Sequence, residues 1–502
     1  MGRQDEIITE RLKKLSALKR QNINPYPHFY EKKDSALNLK KDHEKLKPEK
    51  FSKYKAKTAG RLIGIRDIGK IIFGVLQDET DKIQIVLQEK ETPDKVIEFF
   101  KKYIDSGDFI GIEGLVFRTK RGELSILIEK LELLSKSILP LPDKWHGLED
   151  KEERYRKRYL DLVMSPEVKE VFLKRSTIIN SIRTFLAKKG FVEVDTPVLQ
   201  PLYGGGAAKP FISELNSLKI KVYLAISKEL YLKRLIAGGL EKVYEMNRIF
   251  RNEGIDATHN PEFTMLETMW AYVDYRSNMS LFEEMVEHIS KEVLGKTKIT
   301  YQDKEIDLKR PWHRMTMFES IKRYLKIDVK EMSDLEIKEF IEEKKLKLKK
   351  EFTRGLAIEE IFSELVQKNL IQPTIIYDYP AETSPLAKRK SDAPEIAERF
   401  EPIINGWEMG NNYSELNDPI ALKKIFEEES EKRRKGDEEA SPYDKDFINA
   451  LEVGMPPTSG LGLGVDRLIM LLTNSPSIRD VILFPFMRPL EKETKKDKEA
   501  GN

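Results

Sequence analysis

The sequence contains no cysteine and only six histidines. The lack of cysteine excludes disulfide bonds and thiolate metal sites, so carboxylate oxygens are the main ligands left for a cation. A long apolar run is also lacking. The longest mostly apolar stretch, residues 460–472, is interrupted by Asp466 and Arg467 and is shorter than the roughly 20 residues that a membrane-spanning helix needs. Charges near the N-terminus replace the apolar centre of a signal peptide. We therefore expect a cytoplasmic protein without a membrane span.

The chain also lacks a large net charge: 88 basic and 85 acidic residues leave a net charge of only +3. Any binding of nucleic acid must then come from local patches. Charged residues nevertheless make up 34% of the chain, against about 25% in an average soluble domain. At roughly 150 residues per domain, the 502 residues predict two or three domains.

Residues 1–54 are predicted to form a helix and a linker. Apolar residues recur at helical spacing between residues 5 and 19 among Lys, Arg and Glu, which is typical of an amphipathic helix. This helix is either a surface helix docked on the body or an arm that touches RNA. The proline-containing polar run of residues 24–50 is interpreted as linker.

Residues 55–137 are predicted to form a small β-barrel. One helical stretch, residues 94–104, lies among strand-like runs, which are residues 57–66, 71–76, 82–88, 109–118 and 123–134. Five strands and one helix are the inventory of an OB-fold, which binds single-stranded nucleic acid. Pro140 and Pro142 end this unit, and residues 138–152 are predicted to be a second linker.

Residues 153–489 are predicted to form an α+β domain in which helices flank an antiparallel sheet. Strands that follow one another without an intervening helix favour this arrangement over a doubly wound sheet. The helical patterns span residues 165–189, 280–294, 334–348 and 356–369, and the strand-like runs include 374–377 and 403–408. Residues 490–502 form a charged tail.

The stretch from residue 243 to 275 is the most informative for chemistry. It contains FRNEG (residues 250–254) and THNPEF (residues 258–263) between two strand-like arms. On the second arm, a period of two places Phe263, Met265, Glu267 and Met269 on one face. With Arg251 from the first arm, this face would line a pocket suited to a nucleotide and a charged substrate.

A second constellation is GLGLGVDR, residues 460–467. Alternating glycines leave bare backbone against which a flat ligand can lie, and Arg467 follows where a helix begins. The segment lacks the Lys-Ser/Thr of a P-loop and the strand-turn-helix context of a dinucleotide site.

Together these segments resemble the class II aminoacyl-tRNA synthetases. FRNEG with HNPEF resembles motif 2, GLGLGVDRL resembles motif 3, and GFVEVDTPVL (residues 190–199) is similar to motif 1, which forms the dimer interface in that family. The segments ELYLKRL (229–235), SPLAK (384–388) and NNYSELNDP (411–419) resemble the lysine-specific branch. The resemblance implies a homodimer that joins lysine to tRNA(Lys) with ATP.

For the nucleotide, the resemblance implies that Arg251 binds both the lysine carboxylate and the α-phosphate, and that it shares catalysis with Arg467. The implied ATP contacts are Arg251, Glu253, His259, Asn260, Phe263, Glu408, Gly464 and Arg467. Phe263 and Arg467 would enclose the adenine ring. Glu401 and Glu408 match the carboxylates that bind Mg²⁺ in the family.

For the amino acid, the implied contacts are Gly205, Glu229, Arg251, Glu267, Asn411, Tyr413, Glu415 and Gly462. Glu229 would take the α-ammonium, while Glu267 and Glu415 would face the ε-ammonium, because an unpaired buried cation costs several kcal/mol. Two positions depart from the family: Met269 stands where tyrosine is usual, and the loop of residues 204–206 reads GGG where Gly-Gly-Ala is usual.

In the barrel, Phe73, Gln84 and Glu123 match positions that read the anticodon. Two alternatives remain open: a synthetase-like paralogue that modifies a protein, and a nucleic-acid-binding regulator without activity.

Overall fold

The fold is described from a computed structural model, which covers residues 2–142, 150–348, 350–435 and 442–490. The chain divides into two units, Met1–Glu149 and Asp150–Asn502. Residues 143–149 of the linker expected at 138–152, and residues 491–502 of the tail expected from residue 490, lie outside the described residues.

The first unit is a five-stranded closed barrel with the strand order β1-β2-β3-β5-β4. Its elements are α1 Arg3–Arg20, α2 Ala36–Asp42, β1 Phe51–Asp67, β2 Ile71–Gln77, β3 Lys82–Gln88, α3 Asp94–Tyr103, β4 Phe109–Arg118 and β5 Leu124–Ser135. Alternate residues of β2 are buried, as the pleat of a strand with one covered face requires. The expected barrel of five strands and one helix is confirmed.

The segment expected to be linker, residues 24–50, is more ordered than predicted. It contains α2, whose N-cap Ser35 accepts a hydrogen bond from the backbone N–H of Asn38, and whose Leu39 is buried in the barrel core. Seven residues are too few to show a helical period in the sequence. In addition, β1 begins at Phe51, which pairs and stacks with Phe117 of β4 at 5.0 Å between ring centroids.

Helix α1 is docked on the barrel. Arg11 is buried and donates hydrogen bonds to the backbone oxygens of Ser106 and Ser137, and Lys14 forms an ion pair with Asp105 at 2.6 Å. These contacts hold the helix beside the start of β4.

The second unit combines helices on both faces of a large sheet. Its helices are α4 Lys151–Arg156, α5 Arg158–Met164, α6 Pro166–Lys188, α7 Glu229–Ala237, α8 Tyr275–Leu294, α9 Met317–Leu325, α10 Asp334–Glu343, α11 Arg354–Ile361, α12 Pro419–Arg434, α13 Lys445–Val453, α14 Val465–Leu472 and α15 Ile478–Val481. Three shorter segments are the π-helix Phe362–Val366 and the 3₁₀-helices Gln367–Asn369 and Ala381–Thr383.

Its strands are β6 Val192–Glu193, β7 Leu199–Gln200, β8 Ile212–Leu215, β9 Ile220–Leu224, β10 Lys242–Phe250, β11 Glu262–Ala271, β12 Lys298–Tyr301, β13 Lys304–Asp307, β14 His313–Thr316, β15 Thr374–Pro380, β16 Ile396–Ile404, β17 Trp407–Glu408, β18 Asn412–Ser414 and β19 Thr458–Gly464. The main sheet has the order β14-β15-β16-β18-β19-β11-β10-β6, with β17 paired to β16. Its central pairs are antiparallel, and only the terminal pairs β14/β15 and β6/β10 are parallel. The expected antiparallel sheet flanked by helices is confirmed.

The sheet is fixed by buried apolar residues on both faces. Residues of α6, α8 and α14 form one core with the sheet, and residues of α7, α12 and α13 form another. β10 and β11 contribute residues to both cores, and β19 contributes to the first, so these strands provide a rigid support for side chains that leave the sheet.

Two sequence expectations need correction. Residues 403–408 are a hairpin between β16 and β17, because Asn405 and Gly406 both have positive φ, 55° and 75°, as a tight two-residue turn requires. Helix α10 ends at Glu343 rather than residue 348, because Lys345 has a φ of 55° and Leu346 donates back to Ile341 O, which terminates a helix. Within the described ranges, no helix has the length and apolar character to cross a membrane.

Candidate active site

One cavity of about 360 Å³ lies in the second unit over β11, β18 and β19. Every residue expected to contact ATP or lysine lines it: Gly205, Glu229, Arg251, Glu253, His259, Asn260, Phe263, Glu267, Glu408, Asn411, Tyr413, Glu415, Gly462, Gly464 and Arg467. These residues come from five separate stretches of chain, which the fold brings together.

The floor of the cavity follows from strand geometry. Phe263, Met265, Glu267 and Met269 all line the cavity, so the expectation that a period of two places them on one face is confirmed. β11 pairs with β19 so that Glu267 is opposite Gly462 and Met269 opposite Gly460. Side chains from β11 therefore project beside bare backbone of β19.

The glycines of β19 keep this floor open. A Cβ atom on Gly460 would lie 2.1 Å from Glu415 Oε1 and 2.9 Å from Met269 Cε, and one on Gly462 would lie 3.0 Å from Met265 Cε. The first two distances are closer than any ordinary contact. Glycine at residue 460 is thus required by the position of the Glu415 carboxylate.

One end of the cavity is acidic. Glu267 is buried and accepts hydrogen bonds from Ser227 Oγ at 2.9 Å and from the backbone N–H of Lys228 at 2.9 Å. Burial, together with the nearby charge of Glu229, raises the pKa of Glu267 to about 7. Burial raises the pKa of Glu415 to about 8, although the positive charge of Lys233 opposes this shift.

Lys233 is a charged group of this region that sequence reasoning missed. Its Nζ lies 2.6 Å from Glu229 Oε1 and 2.5 Å from Glu415 Oε2. Burial alone would lower the pKa of Lys233, but the charges of Glu229 and Glu415 raise it instead, so the side chain is an ammonium. The four-residue spacing from Glu229 in ELYLKRL was a sequence signal for this pair.

Arg251 and Phe263 stand at the middle of the cavity. The Arg251 guanidinium lies 5.4 Å from the Phe263 ring centroid, within the range of a cation–π contact. Its Nε donates a hydrogen bond of 3.4 Å to Ile226 O. Among the described residues the guanidinium donates this one long hydrogen bond, which leaves most of its N–H groups available to a ligand.

The other end of the cavity presents groups suited to a nucleotide. Arg467 lies in the first turn of α14, donates to Glu408 O at 2.6 Å and contacts His259 Nε2 at 3.3 Å. Asn260 donates to Glu262 O, while its buried Oδ1 has no hydrogen-bond partner in the described part of the chain. That oxygen is an acceptor open to a ligand N–H.

Hydrogen bonds fix this end in place. The Asp256 carboxylate accepts hydrogen bonds from the backbone and side chain of Thr258 and from the His259 ring. Burial acts to raise the pKa of Asp256, but these hydrogen bonds outweigh it and lower the pKa to about 2. Asp466, which sequence reasoning did not assign to the site, accepts from the backbone N–H of Thr264 at 2.6 Å and pairs with Arg175 at 2.5 Å. It joins α14 to β11 and so positions Arg467.

Glu401 does not line the cavity, unlike the other expected residues of this unit. It is buried on β16 and forms an ion pair with Arg399. Burial raises the pKa of Glu401 to about 7, with Arg399 opposing and the charge of Glu408 adding to the shift. Arg399 also donates to Asn411 Oδ1 at 2.9 Å and so connects Glu401 to the amino-acid side of the cavity.

The donor set at Glu401 and Glu408 fits a hard divalent cation. The two carboxylates repel each other, and a cation would relieve that repulsion through oxygen ligands. No cluster of three or more metal-binding side chains occurs among the residues that the structure describes. A Mg²⁺ ion here would therefore need further oxygen ligands from phosphates and water.

The expected anticodon contacts lie in the first unit, on the outer side of the barrel. Phe73 of β2 and Gln84 of β3 are both partly exposed at outward positions of adjacent strands. Gln84 donates to Ser125 Oγ at 2.8 Å, and exposed Glu123 directly precedes β5. The strand order β2-β3-β5 therefore brings the three side chains to one surface.

Comparisons with known proteins agree with both units. Residues 150–488 match the family of tRNA synthetases class II (D, K and N), and residues 56–134 match the OB-fold nucleic acid binding domain. A lysine–tRNA ligase of Moorella thermoacetica is 48% identical over 97% of this chain and 99% of its own length. The corresponding proteins of Thermoanaerobacter sp. strain X514 and Halalkalibacterium halodurans are 50% and 45% identical, covering 97% and 96% of this chain and 96% and 97% of their own lengths.

Proposed function

This chain belongs to the class II tRNA synthetases (D, K and N), and we infer that within this family it acts as a lysine–tRNA ligase. The observation that carries this proposal is a single cavity with an acidic end at Glu229, Glu267 and Glu415 and a second end at His259 and Arg467. The acidic end suits a substrate with two ammonium groups, and the second end suits a nucleotide.

The proposed reaction has two steps. The carboxylate of lysine attacks the α-phosphorus of ATP to give lysyl-adenylate and pyrophosphate, and the 3′-terminal ribose hydroxyl of tRNA(Lys) then takes the lysyl group with release of AMP. In both steps the nucleophile belongs to a substrate. The protein contributes by positioning reactants and by stabilising charge that develops in the transition state.

Arg251 is the proposed centre of the first step. Its free N–H groups bind the lysine carboxylate and an α-phosphate oxygen together, which holds the nucleophile in line with phosphorus and stabilises the growing negative charge. Arg467 binds the other side of the nucleotide and, with Phe263, encloses the adenine ring. Glu253, His259, Asn260 and Gly464 complete the nucleotide contacts.

The lysine contacts follow the acidic end of the cavity. Glu229, with the backbone at Gly205, binds the α-ammonium, and Glu267 and Glu415 face the ε-ammonium. Asn411 contacts the carboxylate, while Tyr413 and Gly462 shape the slot. In the free protein a carboxylate with a raised pKa carries a proton for part of the time, and two incoming ammonium groups favour its ionised form.

Mg²⁺ is the proposed cofactor, with Glu401 and Glu408 as its protein ligands; when bound, it neutralises phosphate charge. Glu408 lines the nucleotide end of the cavity. Arg399 orients Glu401, and no direct role in the chemistry is assigned to that arginine.

Two wider properties are also proposed. The chain forms a homodimer through motif 1, which the exposed apolar side chains of Val192, Leu199 and Ile212 support. It works in the cytoplasm, where tRNA(Lys) binds through Phe73, Gln84 and Glu123 of the barrel.

Charging of tRNA tests the proposal. We expect purified protein with ATP, Mg²⁺ and labelled lysine to attach lysine to tRNA(Lys) through an alkali-labile ester. Formation of lysyl-adenylate followed by modification of a protein, with no charged tRNA, would favour the protein-modifying paralogue instead.

A further inference from the structure

A buried ammonium stands behind the acidic end of the cavity. Lys233 is 1% exposed and does not line the cavity, whereas its two partners Glu229 and Glu415 do. One ammonium thus contacts both carboxylates, at 2.6 Å and 2.5 Å. Because Lys233 is enclosed by protein on the far side, a substrate cannot displace it from the cavity.

Lys233 contacts one oxygen of each carboxylate and leaves the other oxygen to other partners. Its Nζ contacts Glu229 Oε1 and Glu415 Oε2. Glu229 Oε2 lies 3.5 Å from the Tyr413 hydroxyl. In the described part of the chain neither oxygen of Glu415 accepts a hydrogen bond of ordinary geometry, and Oε1 also lacks the ion pair that Oε2 forms with Lys233. A buried carboxylate oxygen without a donor is costly, and here it lies above Gly460 at the cavity wall, where a ligand can supply the donor.

At the acidic end of the cavity, the net charge of the side chains matches the two ammonium groups of lysine. Glu229, Glu267 and Glu415 carry three negative charges in their ionised forms, and Lys233 offsets one. Two negative charges remain, which equals the number of ammonium groups on lysine. The carboxylate of lysine is matched separately by Arg251.

We propose that Lys233 is a positioning residue that determines substrate specificity: it fixes Glu229 and Glu415 relative to each other and leaves two uncompensated negative charges for an amino acid with two ammonium groups at the spacing of lysine. This inference rests on the proposed function. Lys233 acts only through its two partners, because it does not reach the cavity.

The test compares lysine with ornithine, which has the same two ammonium groups on a chain shorter by one carbon. In Lys233→Met the ammonium is removed and both carboxylates are freed. We expect the KM for lysine in ATP–pyrophosphate exchange to rise by about tenfold with kcat changed much less, since binding rather than transition-state contact is lost. The ratio of kcat/KM for lysine to that for ornithine should fall by about tenfold.

Lys233→Arg keeps the buried positive charge. It therefore still tests the inference if the Lys233→Met protein does not fold. The longer guanidinium pushes the carboxylates toward the cavity, which shortens the slot and again lowers the lysine-to-ornithine ratio. A purely structural role for Lys233 predicts no change in this ratio, because Arg preserves both ion pairs.

Lys136→Met is the matched control. Lys136 is also a buried ammonium between two carboxylates, Asp105 and Asp108, at 2.5 Å and 2.8 Å, but it lies in the barrel unit. We expect lower thermal stability and an unchanged ratio. If Lys233→Met and Lys233→Arg both keep the wild-type ratio and lysine KM, the inference is wrong. If the wild-type protein shows no lysine-dependent exchange, the proposed function itself has failed.

Discussion

The Gly460→Ala variant gives a sharp prediction about the amino-acid end of the cavity. The added Cβ would lie 2.1 Å from Glu415 Oε1 and 2.9 Å from Met269 Cε, against roughly 3.5 Å for a comfortable contact between heavy atoms. The backbone of Gly460 has no positive φ, so alanine meets no backbone strain. The effect must therefore come from space taken from Glu415, the closer contact, and from Met269.

The magnitude follows from the displacement. The Glu415 carboxylate must move by roughly 1 Å, and a misplacement of that size costs about 100-fold in rate when it affects substrate alignment. Movement also disturbs the 2.5 Å contact with Lys233. We therefore expect kcat/KM for lysine to fall by about 100-fold, while the KM for ATP changes little.

ATP–pyrophosphate exchange with lysine and ATP varied in turn measures both quantities, and thermal unfolding checks the fold. Gly464→Ala on the same strand is the comparison, because its added carbon meets nothing closer than 3.7 Å. We expect that variant to keep the wild-type KM for lysine. A Gly460→Ala protein with kcat/KM for lysine within about threefold of wild type would show that the Glu415 carboxylate does not need the space above Gly460.

Four further predictions follow from the geometry and charge of the two units. The KM for lysine should fall by about tenfold or more from pH 6 to pH 8, while the KM for ATP stays constant. Over this range Glu267, with a pKa of about 7, changes from about a tenth to about nine tenths ionised, and Glu415, with a pKa of about 8, also becomes more ionised. Because the pKa values of Glu267 and Glu415 are raised in the folded protein, the protonated carboxyls stabilise the ligand-free fold at low pH. This contribution to the free energy of unfolding is lost as pH rises through about 7 to 8. The ionised carboxylates bind lysine better, so the increase in Tm on adding lysine should be larger at pH 8 than at pH 6. Arg251→Lys, which keeps charge but loses the planar fork, should lower adenylate formation by about 100-fold or more in single-turnover assays; wild-type rates would exclude Arg251 from catalysis. Phe73→Ala should lower kcat/KM for tRNA charging by roughly 10- to 100-fold through lost base stacking and leave pyrophosphate exchange unchanged; an equal loss in both assays would contradict a role in tRNA binding alone.

The barrel and the site floor could be predicted because their signals are local. The strand-like runs around Phe73 and Gln84 are separated by Gly and Asp, and the period of two on β11 places Phe263 and Glu267 together. Each of these patterns is set by pleat geometry within a few neighbouring residues. The structure reproduces them closely for that reason.

Features that depend on contacts between distant segments could not be derived in this way. Helix α2 shows no period because it is short, and it is held by burial of Leu39 in the barrel core. The charge state of Glu415 depends on Lys233, and the two come from separate stretches of chain. The pair Asn405-Gly406 is typical of a two-residue turn, but the apolar residues on either side of it favour a single strand when the sequence is considered alone.

Pyrophosphate exchange into ATP shows directly whether the cavity activates lysine with ATP. The purified protein is assayed with Mg²⁺ and each of the twenty amino acids, together with ornithine and β-lysine. We predict that lysine alone supports strong exchange, because Glu229, Glu267 and Glu415 require two ammonium groups and the fixed slot requires the length of lysine. Exchange with none of these amino acids would contradict the claim and favour a regulator that keeps the fold without its chemistry.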